Sequence, residues 1–243
     1  MSKCRLDSLL VERGLVENKS KAQALIMAGE ISVDGVKISK AGTMVSADAE
    51  IHIAQKLPFV SRGGFKLEHA LKEFEIDVKG MICLDVGAST GGFTDCMLQR
   101  GAGRVYALDV GYNQLDYRLR QDKRVVVMEK VNAHYPFELP EKVNLATLDL
   151  SFISLTMVIP NVLPHLVPSG RLVALFKPQF EAARGEVGKG GIIKDPAVHA
   201  RTISKFIIWM NEHDLRLLDL VASPVLGAEG NKEFLIYLRP WQP

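Results

Sequence analysis

Residues 81–93 read MICLDVGASTGGF, in which an apolar run leads directly into a glycine-rich turn. Glycine has no Cβ, so Gly87, Gly91 and Gly92 allow the backbone to turn sharply and to approach a bound molecule. The first amides of the helix that follows have no partner within that helix and can also donate hydrogen bonds. A buried strand, a turn of this kind and a helix predict the ligand-binding edge of an open α/β sheet.

Beyond this turn, apolar runs rich in β-forming residues alternate with segments of helical periodicity. The runs occupy residues 81–86, 104–110, 125–128, 143–150 and 171–176. Alternation of this kind predicts a mainly parallel sheet covered by helices. After a helix expected at 196–212, a short glycine-rich segment joins two strand candidates, at 217–225 and 233–238. The expected fold is therefore α/β and Rossmann-like, with an antiparallel edge strand.

The N-terminal part has a different pattern, which predicts a separate small α/β domain over residues 1–56. Apolar residues lie at helical spacing before Gly14, and Asn18 can cap a second helix. The dipeptide Asp34-Gly35, between alternating residues, predicts a tight hairpin.

A linker is expected at residues 57–63, which contain a proline and a glycine, and the large domain at 64–243. The net charge of +2 is weak, so any affinity for nucleic acid must come from local clusters of cations. Cations near the predicted helix starts, the hairpin and the linker are the candidates for RNA binding: Lys3, Arg5, Lys19, Lys21, Lys37 and Arg62.

The cysteines and the apolar runs limit where the protein can work. Cys4, Cys83 and Cys96 lack CxxC spacing, and their odd number argues against a disulfide framework and for a reducing compartment. Neither a signal peptide nor a run of about 18 apolar residues is evident, so we expect no membrane span. We expect a cytoplasmic protein without a metal site.

The glycine-rich turn favours a ligand without phosphate groups. It departs from the GxGxxG pattern of dinucleotide-binding proteins, and Asp85 precedes it, where a carboxylate would repel a pyrophosphate. S-adenosylmethionine fits better, because Asp85 could hold its cationic end and Asp109, at the end of the second strand, could accept its ribose hydroxyls. Asn132 is a candidate for the adenine edge, although strand-end polar groups can instead cap helices or bind solvent. The candidate cofactor-binding residues are Asp85, Gly87, Ser89, Thr90, Gly91, Gly92, Phe93, Asp109, Asn132 and Asp149.

Several segments resemble known families. RLDSLLVERGL at 5–15 and SKAQALIMAGEISVDGVKI at 20–38 resemble the S4 domain, an RNA-binding module. Together with SRGGFKL, DVGASTGGFTD, LDLSFISL, FKPQFE and GNKEF, they resemble the TlyA hemolysin/rRNA methyltransferase family over essentially the full chain. The resemblance implies an FtsJ-like, S-adenosylmethionine-dependent domain that methylates the 2′-hydroxyl of cytidine ribose in ribosomal RNA, in the 23S and, as a further candidate, the 16S molecule. Ribosomal RNA or ribosomal subunits are the implied partners.

The same resemblance implies a catalytic tetrad of Lys66, Asp149, Lys177 and Glu233. The reaction removes a proton from a ribose hydroxyl while its oxygen attacks a methyl group. We expect Lys177 to be the base or to orient the hydroxyl, Lys66 to be a neighbouring cation that also binds phosphate, and the two carboxylates to position the amines. Burial and a second cation favour a neutral amine, which can act as a base, whereas carboxylates oppose this, so both roles stay open.

Two other functions stay open at the level of sequence. The hemolysin label of the family suggests a membrane-active cytolysin, although long apolar or amphipathic segments are not evident. A noncatalytic RNA-binding factor could keep the same fold. The run at 181–191, with four glycines, is expected to be either a mobile loop that closes over the site or a surface connection.

Overall fold

The computed structural model describes residues 3–53, 58–227 and 230–241, and the chain divides into two compact units, Met1–Pro58 and Phe59–Pro243. Residues 56 and 57, where the predicted small domain ends and the predicted linker begins, lie outside the described residues. The first helix of the larger unit begins at Gly63.

In its described part, the small unit combines short helices with two small antiparallel sheets. Its elements are β1 (Lys3–Arg5), α1 (Leu6–Glu12), α2 (Lys19–Met27), β2 (Ile31–Val33), β3 (Val36–Lys37), β4 (Met44–Ser46) and β5 (Ile51–Ile53). β1 pairs with β4, and β2 lies between β3 and β5. Asn18 caps α2 as predicted, because its side chain accepts a hydrogen bond of 2.9 Å from the Lys21 amide. The hairpin between β2 and β3 turns at Asp34 and Gly35, where φ is +50° and +78°.

The larger unit holds a seven-stranded sheet in which four of the strands are each followed by a helix. Its elements are α3 (Gly63–Glu73), β6 (Ile82–Val86), α4 (Gly92–Gln99), β7 (Arg104–Asp109), α5 (Tyr117–Gln121), β8 (Val125–Glu129), β9 (Val143–Leu148), α6 (Leu155–Val162), β10 (Leu166–Phe176), α7 (Pro178–Glu181), α8 (Pro196–Glu212), β11 (Leu215–Ala222) and β12 (Phe234–Pro240). The strand order is β11-β12-β10-β9-β6-β7-β8, and the five strands from β10 to β8 run parallel. The expected mainly parallel α/β fold is confirmed.

The antiparallel strand of this sheet lies one position inside the edge. β12 pairs antiparallel with β10 on one side and with β11 on the other. An inner strand is covered on both faces, and Leu235, Ile236 and Leu238 of β12 are indeed fully buried. β11 keeps exposed residues such as Leu218 and Asp219, which suits the outer position that it occupies.

Alternate residues of the inner strands pack on opposite faces of the sheet. Cys83 and Val105 contribute to the apolar cluster that contains α3 and α4, whereas Leu84 and Tyr106 contribute to the cluster that contains α6 and α8. This period of two fixes the register of the parallel strands. The carboxyl ends of β6, β7, β9 and β10 consequently meet at one edge of the sheet, where the candidate site lies.

Candidate active site

The turn between β6 and α4 has a conformation that favours glycine. Gly87 and Gly91 have φ values of +84° and +95°, in the left-handed region. A Cβ on Gly87 would collide with the carbonyl oxygen of Asp149, and a Cβ on Gly91 would collide with the side chain of Leu119. The Gly87 amide donates a hydrogen bond of 2.8 Å to the Leu108 carbonyl. The turn is therefore closed tightly onto the ends of β7 and β9.

Asp85 lies beneath this turn instead of facing a ligand. Its carboxylate is 0% exposed and accepts hydrogen bonds from the hydroxyls of Thr94, at 2.6 Å, and Thr147, at 3.0 Å. Burial raises the pKa of Asp85 to about 7, against the opposing effect of these hydrogen bonds. It lines neither cavity at this edge of the sheet. The expectation that Asp85 holds a cationic ligand is corrected: its carboxylate joins α4 to β9 inside the packed interior.

Two cavities open at the carboxyl edge of the parallel strands. The first, of about 530 Å³, is lined mainly by the ends of β6 and β7 and by the loops that follow β7, β8 and β9; we call it the Asp109 cavity. The second, of about 380 Å³, is lined by the start of α3, the end of β10 and the segment before β12; we call it the lysine cavity. Among the described residues, those that line both cavities are Gly87, Ser89, Asp149, Ser151 and Phe152.

The Asp109 cavity contains the polar groups that were expected at the ends of β7 and β8. Asp109 accepts hydrogen bonds from the amides of Ser89, at 2.8 Å, and Gly111, at 2.7 Å, one on each carboxylate oxygen. A carboxylate offers about four acceptor positions, so it can accept further hydrogen bonds. Asn132 also lines this cavity, and its side-chain oxygen accepts from the His134 amide at 3.0 Å.

The remaining predicted cofactor residues of the glycine-rich turn do not all reach the Asp109 cavity. Thr90, Gly92 and Phe93 line the lysine cavity. Gly91 lines neither cavity, because the side chains of Leu115 and Leu119 lie against it. Gly91 therefore shapes the turn from behind.

The lysine cavity brings together the four residues of the implied tetrad. Lys66 Nζ donates to Glu233 Oε2 at 2.6 Å, and Lys177 Nζ lies 2.7 Å from Asp149 Oδ1. Lys177 Nζ also donates to Ser151 Oγ at 3.1 Å. Lys66 and Lys177 are each 9% exposed and Glu233 is 4% exposed, and a charge buried to this extent is costly unless it is paired. The four side chains come from α3, the ends of β9 and β10, and the segment before β12.

Sequence reasoning missed two residues close to Glu233 in the chain, Asn231 and Gly227. Asn231 is 4% exposed; its side chain accepts a hydrogen bond from the Ile193 amide, at 3.0 Å, and donates one to the Gly191 carbonyl, at 2.9 Å. It thereby anchors the end of the glycine-rich run before α8. Gly227 lies so close to the Glu233 carboxylate that a Cβ would collide with it. In the segment GNKEF, residues 230–234, the sequence does not distinguish an asparagine whose side chain anchors a distant loop from one that only forms a turn.

Phe152 is a second feature that the sequence analysis did not single out. It is 90% exposed, has a φ of +66°, and its ring centroid lies 5.2 Å from that of Phe180. It lines both cavities. Its exposed ring is therefore free to contact a molecule bound in either cavity. The available signal was an aromatic residue in the loop directly after Asp149, where turns favour small polar residues.

The predicted RNA-binding cations of the small unit are exposed: Lys3, Arg5, Lys19, Lys21 and Lys37. Two of them are gathered by the fully buried Asp7, which sequence reasoning missed. Arg5 donates to both Asp7 oxygens, at 3.0 and 2.8 Å, and Lys19 Nζ lies 3.9 Å away. The Arg5 guanidinium holds the pKa of Asp7 well below its usual range. The sixth predicted cation, Arg62, lies in the larger unit and lines the lysine cavity.

Metal ions and membrane spans were not expected from the sequence. Within residues 3–53, 58–227 and 230–241, no group of His, Cys, Asp and Glu side chains could hold a metal ion. The helices of this described part include none that is long and apolar enough to cross a membrane.

Comparison with known proteins gives a two-part organisation. The FtsJ-like methyltransferase family model matches residues 59–240, and the S4 domain model matches residues 4–51. The 16S/23S rRNA (cytidine-2′-O)-methyltransferase TlyA of Mycobacterium tuberculosis is 42% identical over 241 residues, which cover 98% of this chain and 90% of the relative. Hemolysin A of Brachyspira hyodysenteriae is 43% identical over 239 residues, which cover 96% and 98% of the two chains. A solved structure described as a hemolysin from Streptococcus thermophilus has a TM-score of 0.76 at 41% identity, covering 100% of this chain and 90% of that one.

Proposed function

This chain belongs to the FtsJ-like methyltransferase family, and on that basis we propose that it transfers a methyl group from S-adenosylmethionine to the 2′-hydroxyl of a cytidine ribose in ribosomal RNA. One observation carries the proposal. Two lysine–carboxylate pairs meet in a cavity that shares lining residues with a second cavity at the strand ends. A methyl donor and a hydroxyl bound in adjoining cavities would be held close enough for in-line attack.

The residues of the Asp109 cavity suit S-adenosylmethionine. Its ribose hydroxyls can donate to Asp109, which keeps acceptor positions beyond its two amide hydrogen bonds. A volume of about 530 Å³ lies within the range of small-molecule sites. Gly87 lines both cavities, and because it has no Cβ the glycine-rich turn can lie against the Asp149 carbonyl. When bound, this cofactor supplies an activated methyl group, and the chain must aim the acceptor.

In this proposal, Lys177 aims the ribose hydroxyl. An ammonium group paired with a carboxylate, as Lys177 is with Asp149 at 2.7 Å, can donate a hydrogen bond but cannot accept a proton. The hydroxyl oxygen would therefore accept from Lys177, and the hydroxyl proton would pass to Asp149, whose carboxylate lines both cavities. Of the two roles that the sequence left open, the paired geometry favours orientation.

Lys66 and Arg62 are proposed to hold the phosphates beside the target ribose. Both line the lysine cavity, and Arg62 is exposed to solvent there. A guanidinium can bind a phosphate through two parallel hydrogen bonds, whereas the amine of Lys66 is fixed by Glu233 and acts as a point charge. These contacts position the backbone of the RNA and carry no base specificity.

The choice of cytidine in ribosomal RNA rests on the named relatives and on the RNA-binding features of the chain. The M. tuberculosis relative is named for cytidine 2′-O-methylation of 16S and 23S ribosomal RNA. The S4 domain would add phosphate affinity through its exposed cations. Phe152 offers a ring on which an unpaired base can stack, since RNA sequence is read mainly on bases splayed out of helices. We propose 23S RNA or its subunit as the first substrate to test, with 16S second, in the cytoplasm.

The test incubates the purified chain and labelled S-adenosylmethionine with separate small and large ribosomal subunits, followed by digestion to nucleosides and mass spectrometry. We expect label in 2′-O-methylcytidine. Lys177→Ala should lower turnover by about 100-fold or more while cofactor affinity is retained. Lys189→Ala is the matched control, because Lys189 is an exposed lysine that lines neither cavity.

Label on a base, no label with either subunit, or near-normal turnover of Lys177→Ala would contradict the proposal. The hemolysin names of two relatives define a second assay, the leakage of lipid vesicles caused by the purified chain without cofactor. Leakage unchanged by Lys177→Ala, together with no methyl transfer, would favour the cytolysin alternative. RNA binding without methyl transfer or leakage would favour a noncatalytic RNA-binding factor.

A further inference from the structure

The loop between β9 and α6, residues 149–154, is tied to the segment 177–181 along its whole length. Its first residue, Asp149, pairs with Lys177, and Ser151 accepts a hydrogen bond from the same amine. Phe152 contacts the ring of Phe180. The three residues of this loop that line both cavities, Asp149, Ser151 and Phe152, are therefore each in contact with one short neighbouring segment.

Glu181 makes the last of these ties. Its Oε2 accepts a hydrogen bond of 2.5 Å from the Ser154 hydroxyl, and its Oε1 accepts one of 2.7 Å from the Leu155 amide. Ser154 is the N-cap of α6 and also accepts from the Thr156 amide at 3.1 Å. Glu181 lines neither cavity, so it would not touch a ligand bound in either of them. Desolvation by the surrounding protein raises the pKa of its carboxyl group. Removing a carboxylate partly from water is costly unless hydrogen bonds compensate, and the hydrogen bonds of partly buried Glu181 fix the relative position of two segments.

The loop needs such a restraint because its backbone is strained. Phe152 has a φ of +66°, a left-handed conformation that is unfavourable for a bulky residue. A strained residue of this kind persists only where its surroundings over-determine it, and such strain clusters at functional sites. The fixed points on either side of Phe152 are the Lys177 contacts before it and the Glu181 hydrogen bonds after it.

We propose that Glu181 is a positioning residue for methyl transfer: its carboxylate fixes the start of α6 and so holds the loop at 149–154 in the conformation that presents Ser151 to Lys177 and Phe152 to the RNA. The inference rests on the proposed function for its effect on turnover. Its structural half, the restraint of the loop, does not depend on that function. Glu181 thereby acts through other residues and touches no substrate.

The test compares two substitutions at this position with a matched control. Glu181→Ala removes both hydrogen bonds. Glu181→Gln keeps both, because the amide oxygen can accept from the Leu155 amide and the NH₂ group can donate to the Ser154 hydroxyl. Glu186→Ala is the control, since Glu186 is a nearby glutamate that also accepts from a backbone amide, that of Ala183, but lines neither cavity.

Two measurements are made on the full chain. In hydrogen exchange, peptides that cover 149–158 should exchange at least about tenfold faster in Glu181→Ala than in the wild type, and at wild-type rates in the other two variants. In methyl transfer at saturating cofactor, kcat should fall about 10- to 100-fold in Glu181→Ala, and the affinity for S-adenosylhomocysteine should change far less. Glu181→Gln should restore most of kcat, which a need for the negative charge would not allow.

Unchanged exchange in Glu181→Ala would overturn the inference whatever the activity shows. So would kcat within twofold of the wild type, or equal losses in Glu181→Ala and Glu186→Ala, which would indicate general destabilisation. The failure of the proposed function is distinguishable, because it would show as a wild-type chain that methylates neither subunit. In that case the exchange measurement still decides whether Glu181 restrains the loop.

Discussion

Replacing Lys66 tests whether it and Glu233 form one buried, mutually dependent pair. The two charged atoms are 2.6 Å apart, and the residues are 9% and 4% exposed. Lys66→Met leaves the carboxylate buried without its cation, and the loss of one partner from a buried pair costs about 3–5 kcal/mol in the free energy of unfolding. In the double variant Lys66→Met/Glu233→Leu no buried charge is left unpaired, so most of that loss should be recovered.

Urea unfolding followed by tryptophan fluorescence measures the effect, because both tryptophans, Trp209 and Trp241, lie in the larger unit. The second pair provides a comparison: the side chain of Asp149 is 24% exposed, so Lys177→Met should cost less than Lys66→Met. Methyl transfer should be lost in the single and the double variant alike, which separates the stability of the pair from its role in turnover. The reasoning is refuted if the two variants unfold at the same urea concentration, or if Lys66→Met loses less than about 1 kcal/mol.

Other parts of the molecule give independent predictions. Burial raises the pKa of Asp85 from 3.8 to about 7. Between these pH values the folded chain binds a proton that the unfolded chain has lost, so the free energy of unfolding should fall as the pH rises. Asp85→Asn should remove that component of the slope in urea titrations at several pH values. Gly227→Ala should displace the last carboxylate of the tetrad and lower kcat about 100-fold, with the affinity for cofactor retained in calorimetry. Arg5→Gln and Lys37→Gln each remove one positive charge, so both should weaken RNA binding to a similar extent in salt titrations. Only Arg5→Gln should lower the melting temperature of the small unit, because it leaves the buried Asp7 without its main partner.

Each of these predictions would be contradicted by a specific result. A pH slope in Asp85→Asn equal to that of the wild type would mean that this carboxyl is ionised in the folded chain. Wild-type turnover in Gly227→Ala would mean that the neighbouring carboxylate can move without consequence. Equal melting temperatures of Arg5→Gln and Lys37→Gln would mean that Asp7 does not depend on Arg5.

The fold could be predicted largely from the hydrophobic periodicity of the sequence and from the turn-forming residues between its periodic segments. Apolar runs that are buried on both faces, each followed by a helical segment, have few solutions other than a parallel sheet between helices. The position of β12 inside the edge could not be read in this way, because strand order depends on long-range pairing between β10, β11 and β12. β11 and β12 are both rich in apolar residues, so their sequences alone do not decide which of the two pairs with β10.

The candidate site was predicted unevenly, and the reason is geometric. Lys66, Asp149, Lys177 and Glu233 were chosen by resemblance to known motifs, and their convergence in one cavity depends on four separate elements. Asp85 was misjudged because a strand alternates its faces, and the residue next to a binding turn can point into the interior instead of the crevice. Asn231 and Glu181 were missed because their roles lie in hydrogen bonds to distant backbone or side chains, for which local sequence gives no signal. Asp7 was missed for another reason: its partner Arg5 is only two residues away, but its complete burial depends on tertiary packing.

The insertion of β12 between β10 and β11 has a consequence for synthesis and for premature termination. Glu233 immediately precedes this strand, so a chain whose synthesis stops before Glu233 lacks both the final acid of its tetrad and the strand that pairs with β10 and β11. A messenger interrupted shortly before that codon would yield a product with two open strand edges, which recruit other chains, and not a weakly active enzyme. Catalytic competence and protection from self-association are thus acquired in the same late step.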